Sequence, residues 1–173
     1  MKVRYRDLSV HDQRIKKELL DSVNGVLDHG KIILGPEVDE FEDNIANYCG
    51  TKYAIGVSCG TDALYLSLKA LGVGVGDEVI TTPLSWIATV NAIVLTGADP
   101  VFVDIGQDLN INPELIEEAI TDRTKAIVPV HFTGRLCKMD RINEIAKKNG
   151  VFVVEDAAQA FGAKVNGKMA GAF

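Results

Sequence analysis

The sequence predicts an α/β protein in which a mostly parallel sheet is flanked by helices. Three observations carry that reading. Short apolar runs begin near Tyr53, Glu78, Pro100, Lys125 and Val151, spaced by 22 to 26 residues, with helical stretches between them. Runs such as Ala126-Ile127-Val128-Pro129-Val130 and Val151-Phe152-Val153-Val154 are continuously apolar instead of alternating, the pattern of strands covered on both faces. The repeating units share no consensus, which separates a wound sheet from a solenoid.

Two helices are expected before any strand. Ser9 can cap the first, whose apolar positions Ile15, Leu19, Val23, Val26 and Leu27 recur at helical spacing before Gly30 stops it. The second opens at Gly35-Pro36-Glu37, since proline suits a first turn where its missing N–H has no partner. Val38, Phe41, Ile45 and Tyr48 form its expected buried stripe, and Gly50 ends it. Residues 1–50 therefore read as a helical lead-in and residues 51–173 as the α/β domain. Within that domain a first strand is expected at 53–57, and helices at 61–71, 85–96, 113–120 and 139–149. Gly72-Val73-Gly74-Val75-Gly76-Asp77 imitates a dinucleotide fingerprint, but it follows a helix and precedes a strand, the reverse of the required order. It reads as a helix stop and turn.

Composition narrows the function classes. The chain has 173 residues, 47% of them apolar, and 18 Lys plus Arg against 24 Asp plus Glu give a formal charge of −6. An acidic balance argues against a nucleic-acid module, which carries a basic face. No run of ~18 apolar residues exists, so no spanning helix is expected. The first seven residues have no apolar core of a signal peptide. Cys49, Cys59 and Cys137 are an odd number without metal-ligand spacing, and read as reduced thiols of a cytoplasmic protein, with a reactive Cys59 as the lesser alternative. His11 and His29 stand apart from any cluster, so no metal site is expected.

Ligands of open parallel sheets bind beyond the carboxyl ends of the strands, and four such ends carry suggestive residues. Ser58-Cys59-Gly60-Thr61-Asp62 opens a helix where free N–H groups suit a phosphate, although Ser and Thr also cap helices with no ligand. Trp86, the one tryptophan, opens another helix; its indole can stack on a flat ring or simply fill a core. Glu155 and Asp156 end a fully apolar strand, and a buried carboxylate needs a partner there: a cationic ring nitrogen of a cofactor, or a structural Arg or Lys. His131 ends a further strand and reads either as a ligand contact or as a structural histidine.

Taken in order, these pieces resemble the PLP-dependent sugar aminotransferases of the DegT/DnrJ/EryC/StrS type from about Val10 onward. The landmarks include Leu34-Gly35-Pro36-Glu37-Val38, Ser58-Cys59-Gly60-Thr61-Asp62-Ala63-Leu64, Thr82-Pro83-Leu84-Ser85-Trp86, Pro129-Val130-His131 and Glu155-Asp156-Ala157-Ala158-Gln159-Ala160. Cys59 stands where Asn is common, and Phe161 where His is common. The resemblance implies the large domain of the fold-type I PLP-dependent transferases and a pyridoxal phosphate (PLP) or pyridoxamine phosphate (PMP) cofactor. It implies that Gly60 and Thr61 hold the phosphate, Trp86 stacks on the pyridine ring, Asp156 pairs with the ring nitrogen and Gln159 bonds the ring hydroxyl. It further implies glutamate or glutamine as amino donor, a nucleotide-linked keto sugar as acceptor, and a homodimer whose sites are shared between subunits.

The same resemblance places the Schiff-base lysine roughly a dozen residues beyond Phe173, so neither Lys164 nor Lys168 is assigned to it. Two further sheet strands and a C-terminal small domain are expected there as well. The 173 residues are thus expected to be a truncated large domain, marginal in isolation and inactive alone. Two alternatives stand beside this reading: a PMP-dependent sugar dehydratase of the same family, with histidine in place of the lysine, and a non-catalytic α/β module that binds a partner or regulates.

Overall fold

The computed structural model describes residues 7–173. The first six, which belong to the stretch without a signal peptide's apolar core, lie outside them. The chain forms two compact units, Met1–Asn44 and Ile45–Phe173.

In the first unit, α1 spans Gln13–His29. Its cap is Asp12, not Ser9: the Asp12 carboxylate accepts the N–H groups of Arg14 at 2.8 Å and Ile15 at 3.4 Å. A carboxylate is the stronger acceptor and carries the charge that the positive end of a helix favours. Gly30 terminates the helix in the left-handed region, at φ +71°. The second helix, α2, begins at the expected proline and spans Pro36–Cys49, across the boundary of the units. Its apolar stripe is not buried: Phe41 and Tyr48 are exposed, and Val38 and Ile45 only partly covered. The stripe is real as a periodicity; what would cover it lies outside the described packing.

The second unit is built on a four-stranded parallel sheet of order β2-β1-β3-β4, with β1 at Glu78–Thr81, β2 at Asp99–Phe102, β3 at Thr124–Ile127 and β4 at Phe152–Val153. Helices α3 (Gly60–Ala70) and α4 (Ile87–Thr96) pack against each other, as do α5 (Pro113–Ala119) and α6 (Met139–Asn149). Adjacent strand residues enter different clusters. Val79 and Ala126 join Leu68 and Ile93, from α3 and α4. Ile80 and Ile127 join Ile116, Ile142 and Ile145, from α5 and α6. Successive side chains point to opposite faces, so this split shows both faces of β1 and β3 covered, which is why these strands read as unbroken apolar runs.

Residues 53–57 form no strand. Ile55 is 81% exposed and Tyr53 is exposed beside it. A strand needs a hydrogen-bonding neighbour as well as a side-chain pattern, and no described strand lies beside this segment. The reverse error occurs at the chain's end, where β5 (Lys164–Val165) and β6 (Lys168–Met169) pair as an antiparallel hairpin. Its turn is Asn166-Gly167, both at positive φ (+51° and +80°), the Asn-Gly signal of a tight hairpin.

Gly97 closes α4 at φ +90°, and a Cβ there would lie 2.7 Å from Val75 Cγ2. Gly25, inside α1, has nothing within 4 Å of that position and no positive φ. Gly97→Ala is expected to lower stability by about 1–2 kcal/mol or more, whereas Gly25→Ala is expected to raise it by roughly 0.5–1 kcal/mol. Urea denaturation of the two variants checks both signs.

Candidate functional site

The helix and strand ends of the second unit converge on a cavity of about 460 Å³. Gly60, Thr61, Trp86, Asp156 and Gln159, separated by up to 99 positions in sequence, all line it. The volume is that of an ordinary small-molecule site.

Gly60 and Thr61 begin α3. The cap residue, Cys59, is extended and makes no side-chain bond to the first turn. The first helical bond there runs from the Ala63 N–H to the Cys59 carbonyl, at 3.0 Å. The amides before Ala63 are the donors that a helix start leaves for an anion. Ser58 donates to the Asp62 carboxylate, which occupies that side chain. Trp86 sits at the cap of α4 and is 74% exposed, so it is not a core residue.

Asp156 extends the sheet by a parallel bridge to Val130 and is only 8% exposed. Its Oδ2 accepts the Thr89 hydroxyl at 2.7 Å and its Oδ1 the Ala158 N–H at 3.3 Å. Among the described residues no Arg, Lys or His forms an ion pair with it. A carboxylate in this position, answered only by neutral donors, suits a cationic group entering the cavity. Gln159 has its Oε1 engaged by the Thr133 N–H at 3.0 Å, which leaves its amide N–H groups as donors.

Glu155, the neighbouring acid, has a different fate. It accepts the His131 Nε2–H at 2.9 Å and the N–H groups of Gly171 at 2.9 Å and Phe173 at 2.7 Å. His131 Nδ1 accepts the Cys137 N–H at 3.2 Å, which assigns the ring proton to Nε2. His131 is fully buried and does not line the cavity: it is a brace. Burial pushes the Glu155 carboxyl up, but the His131 bond and the two backbone N–H groups outweigh it and hold the group below its usual value. Cys137 donates to the Val130 carbonyl, and burial, with the charges of Asp108 and Glu155, pushes its thiol up to about 12. Cys59 is exposed, Cys49 half-buried, and all three thiols are free.

Sequence reasoning missed Thr89 and Ser85. Their hydroxyls lie 2.7 Å apart on the cavity wall, and the i, i+4 spacing across the start of α4 was the available signal. Among the described residues no lysine lines the cavity, and Lys164 and Lys168 lie in the β5–β6 hairpin. Among the described residues no cluster could hold a metal ion, and no helix is long and apolar enough to cross a membrane.

Residues 13–173 match the DegT/DnrJ/EryC1/StrS aminotransferase family. The chain belongs to that family. It is 49% identical over 167 residues to the UDP-2-acetamido-2-deoxy-3-oxo-D-glucuronate aminotransferase of Pseudomonas aeruginosa, covering 96% of this chain and 46% of that protein. The structure is similar to S. venezuelae DesV in complex with a ketimine intermediate, with TM-score 0.95 and 44% identity over 99% of this chain and 46% of that one. It is also similar to NtdA of Bacillus subtilis with bound cofactor PMP, with TM-score 0.88 and 37% identity over 97% of this chain and 41% of that one. The chain thus spans a little under half the length of the family members it matches. The fold is that of the α/β domain of fold-type I PLP-dependent enzymes.

The lowered Glu155 carboxyl has a consequence for stability. Its contribution is complete above the ordinary value of 4.5 and is lost as pH falls through the lower folded value. Stability of the wild type, measured by urea denaturation between about pH 3 and 7, is expected to fall more steeply below pH 4.5 than that of Glu155→Gln. Parallel curves for the two proteins would contradict the brace.

Proposed function

We propose that this chain is the cofactor-binding portion of a PLP-dependent aminotransferase that moves an amino group from glutamate or glutamine to a nucleotide-linked keto sugar. The observation that carries the reading is Asp156: a nearly buried carboxylate without a cationic partner among the described residues, on the wall of a cavity that also holds an exposed indole and a helix start. The sugar-nucleotide aminotransferase of P. aeruginosa and the PMP-bound structure from B. subtilis support it.

The roles follow from each side chain's chemistry. The first-turn amides at Gly60 and Thr61, with the Thr61 hydroxyl, bind the cofactor's phosphate where the helix favours negative charge. Trp86 covers one face of the pyridine ring and excludes water from it. Asp156 holds a proton on the ring nitrogen by a charge-assisted bond. Gln159, its oxygen already engaged, donates to the ring hydroxyl oxygen. When bound, the cofactor supplies an electron sink for charge that develops on the substrate carbon. The amine that tethers the cofactor and moves protons comes from outside residues 1–173, and the working enzyme is a homodimer. The exposed apolar stripe of α1, with Leu19, Val23 and Leu27, supports added contacts of that kind.

Two outcomes test this. Residues 1–173 alone are expected to give no multiple-turnover amination of a keto sugar; sustained turnover by the purified fragment would overturn the assignment of the missing amine. In the full-length protein, Asp156→Ala is expected to lower kcat by roughly 100-fold or more while circular dichroism and Tm stay near those of the wild type. Near-normal turnover in that variant would remove Asp156 from the ring nitrogen.

A further inference from the structure

We propose that Thr89, supported by Ser85, is a positioning residue that aims the Asp156 carboxylate at the cofactor's ring nitrogen and supports its charge. The inference rests on reading the cavity as a PLP site, and it adds to that reading two residues with no role in it.

The direction of the hydrogen bonds follows from counting protons. Thr89 Oγ1 lies 2.7 Å from Asp156 Oδ2 and 2.7 Å from Ser85 Oγ. A carboxylate accepts only, so the single hydroxyl proton of Thr89 goes to Asp156. Ser85 must then donate to the Thr89 oxygen. The result is a one-way chain, Ser85 to Thr89 to Asp156, in which each bond polarises the next.

Burial makes that chain count. Thr89 is 1% exposed and Asp156 8% exposed, so water does not replace a lost donor easily. The other carboxylate oxygen has only the longer bond from the Ala158 N–H, at 3.3 Å. Thr89 therefore supplies the shorter of the two bonds that set the plane of the carboxylate. Its β-branched side chain is stiff about χ1, and its own N–H bonds the Trp86 carbonyl at 3.1 Å. The first turn of α4 thus ties the Trp86 backbone to the residue whose hydroxyl meets the acid.

The test uses full-length protein and two probes that bind without forming a covalent bond: pyridoxamine phosphate, and its deaza analogue with C–H in place of the ring nitrogen. Equilibrium dialysis reads the Kd of each. Thr89→Val, which keeps the shape and loses the hydroxyl, is expected to weaken pyridoxamine phosphate about tenfold and the deaza analogue less than about twofold. Thr89→Ser is expected to restore wild-type affinity, and Ser85→Ala to weaken the natural cofactor alone by roughly two- to threefold. Equal losses for both probes in Thr89→Val would make Thr89 a space-filling residue and overturn the inference, as would unchanged binding of both. If Thr89→Val does not fold, the same comparison on Ser85→Ala decides, and a loss shared by both probes overturns it. A wild-type protein that binds neither probe overturns the PLP reading itself, and one that binds the two equally overturns the pairing of Asp156 with the ring nitrogen, and the role of Thr89 with it.

Discussion

A carboxylate withdrawn from water and answered only by neutral donors is the constraint on which the site depends. Removing a charge from water without a partner of opposite sign is expensive, yet among the described residues Asp156 keeps only the Thr89 hydroxyl and the Ala158 N–H. Its neighbour shows that the chain can satisfy an acid fully when it needs to. Glu155, one residue earlier, receives a histidine and two backbone N–H groups. Adjacent acids on one strand end point to opposite sides, and only one faces the cavity. The first closes the structure, and the second is left available to a ligand.

The sheet makes this placement rigid. Asp156 pairs with Val130 beyond β3 and β4, and its N–H and carbonyl bond Pro129 and His131. The same loop holds Gln159 through the Thr133 N–H. On the other side of the cavity, α3 and α4 bring Gly60, Thr61 and Trp86 from one covered face of the sheet. Two buried clusters, one per face, keep these strand ends in register. The cavity inherits its geometry from a parallel sheet packed on both sides, as ligand sites of open α/β sheets do.

Much of this was readable from residues alone, for local reasons. Helices α3 to α6 and strands β1 to β4 announce themselves through apolar runs and glycine stops, and the residues that line the cavity stand near strand ends where the topology rule looks for them. What failed needed a partner elsewhere in the chain. Residues 53–57 have a strand's composition but no described neighbour to bond. The apolar stripe of α2 predicts burial but cannot name what covers it. His131 was ambiguous because its partners, Glu155 and the Cys137 N–H, are brought to it only by folding. Thr89 was invisible for the same reason: its hydroxyl meets an acid 67 positions away. The resemblance to the family came from ordered motifs, and the family's match extends over residues 13–173.

The central claim is that Asp156 is held for a protonated ring nitrogen. The most direct measurement is nitrogen NMR of full-length protein loaded with cofactor isotope-labelled at that ring nitrogen, followed across pH in wild type and Asp156→Asn. The account predicts a pyridinium signal in the wild type that persists well above the pH at which the free cofactor loses the proton, and its loss in the variant. A neutral pyridine signal in the wild type, or identical spectra for the two proteins, would contradict it.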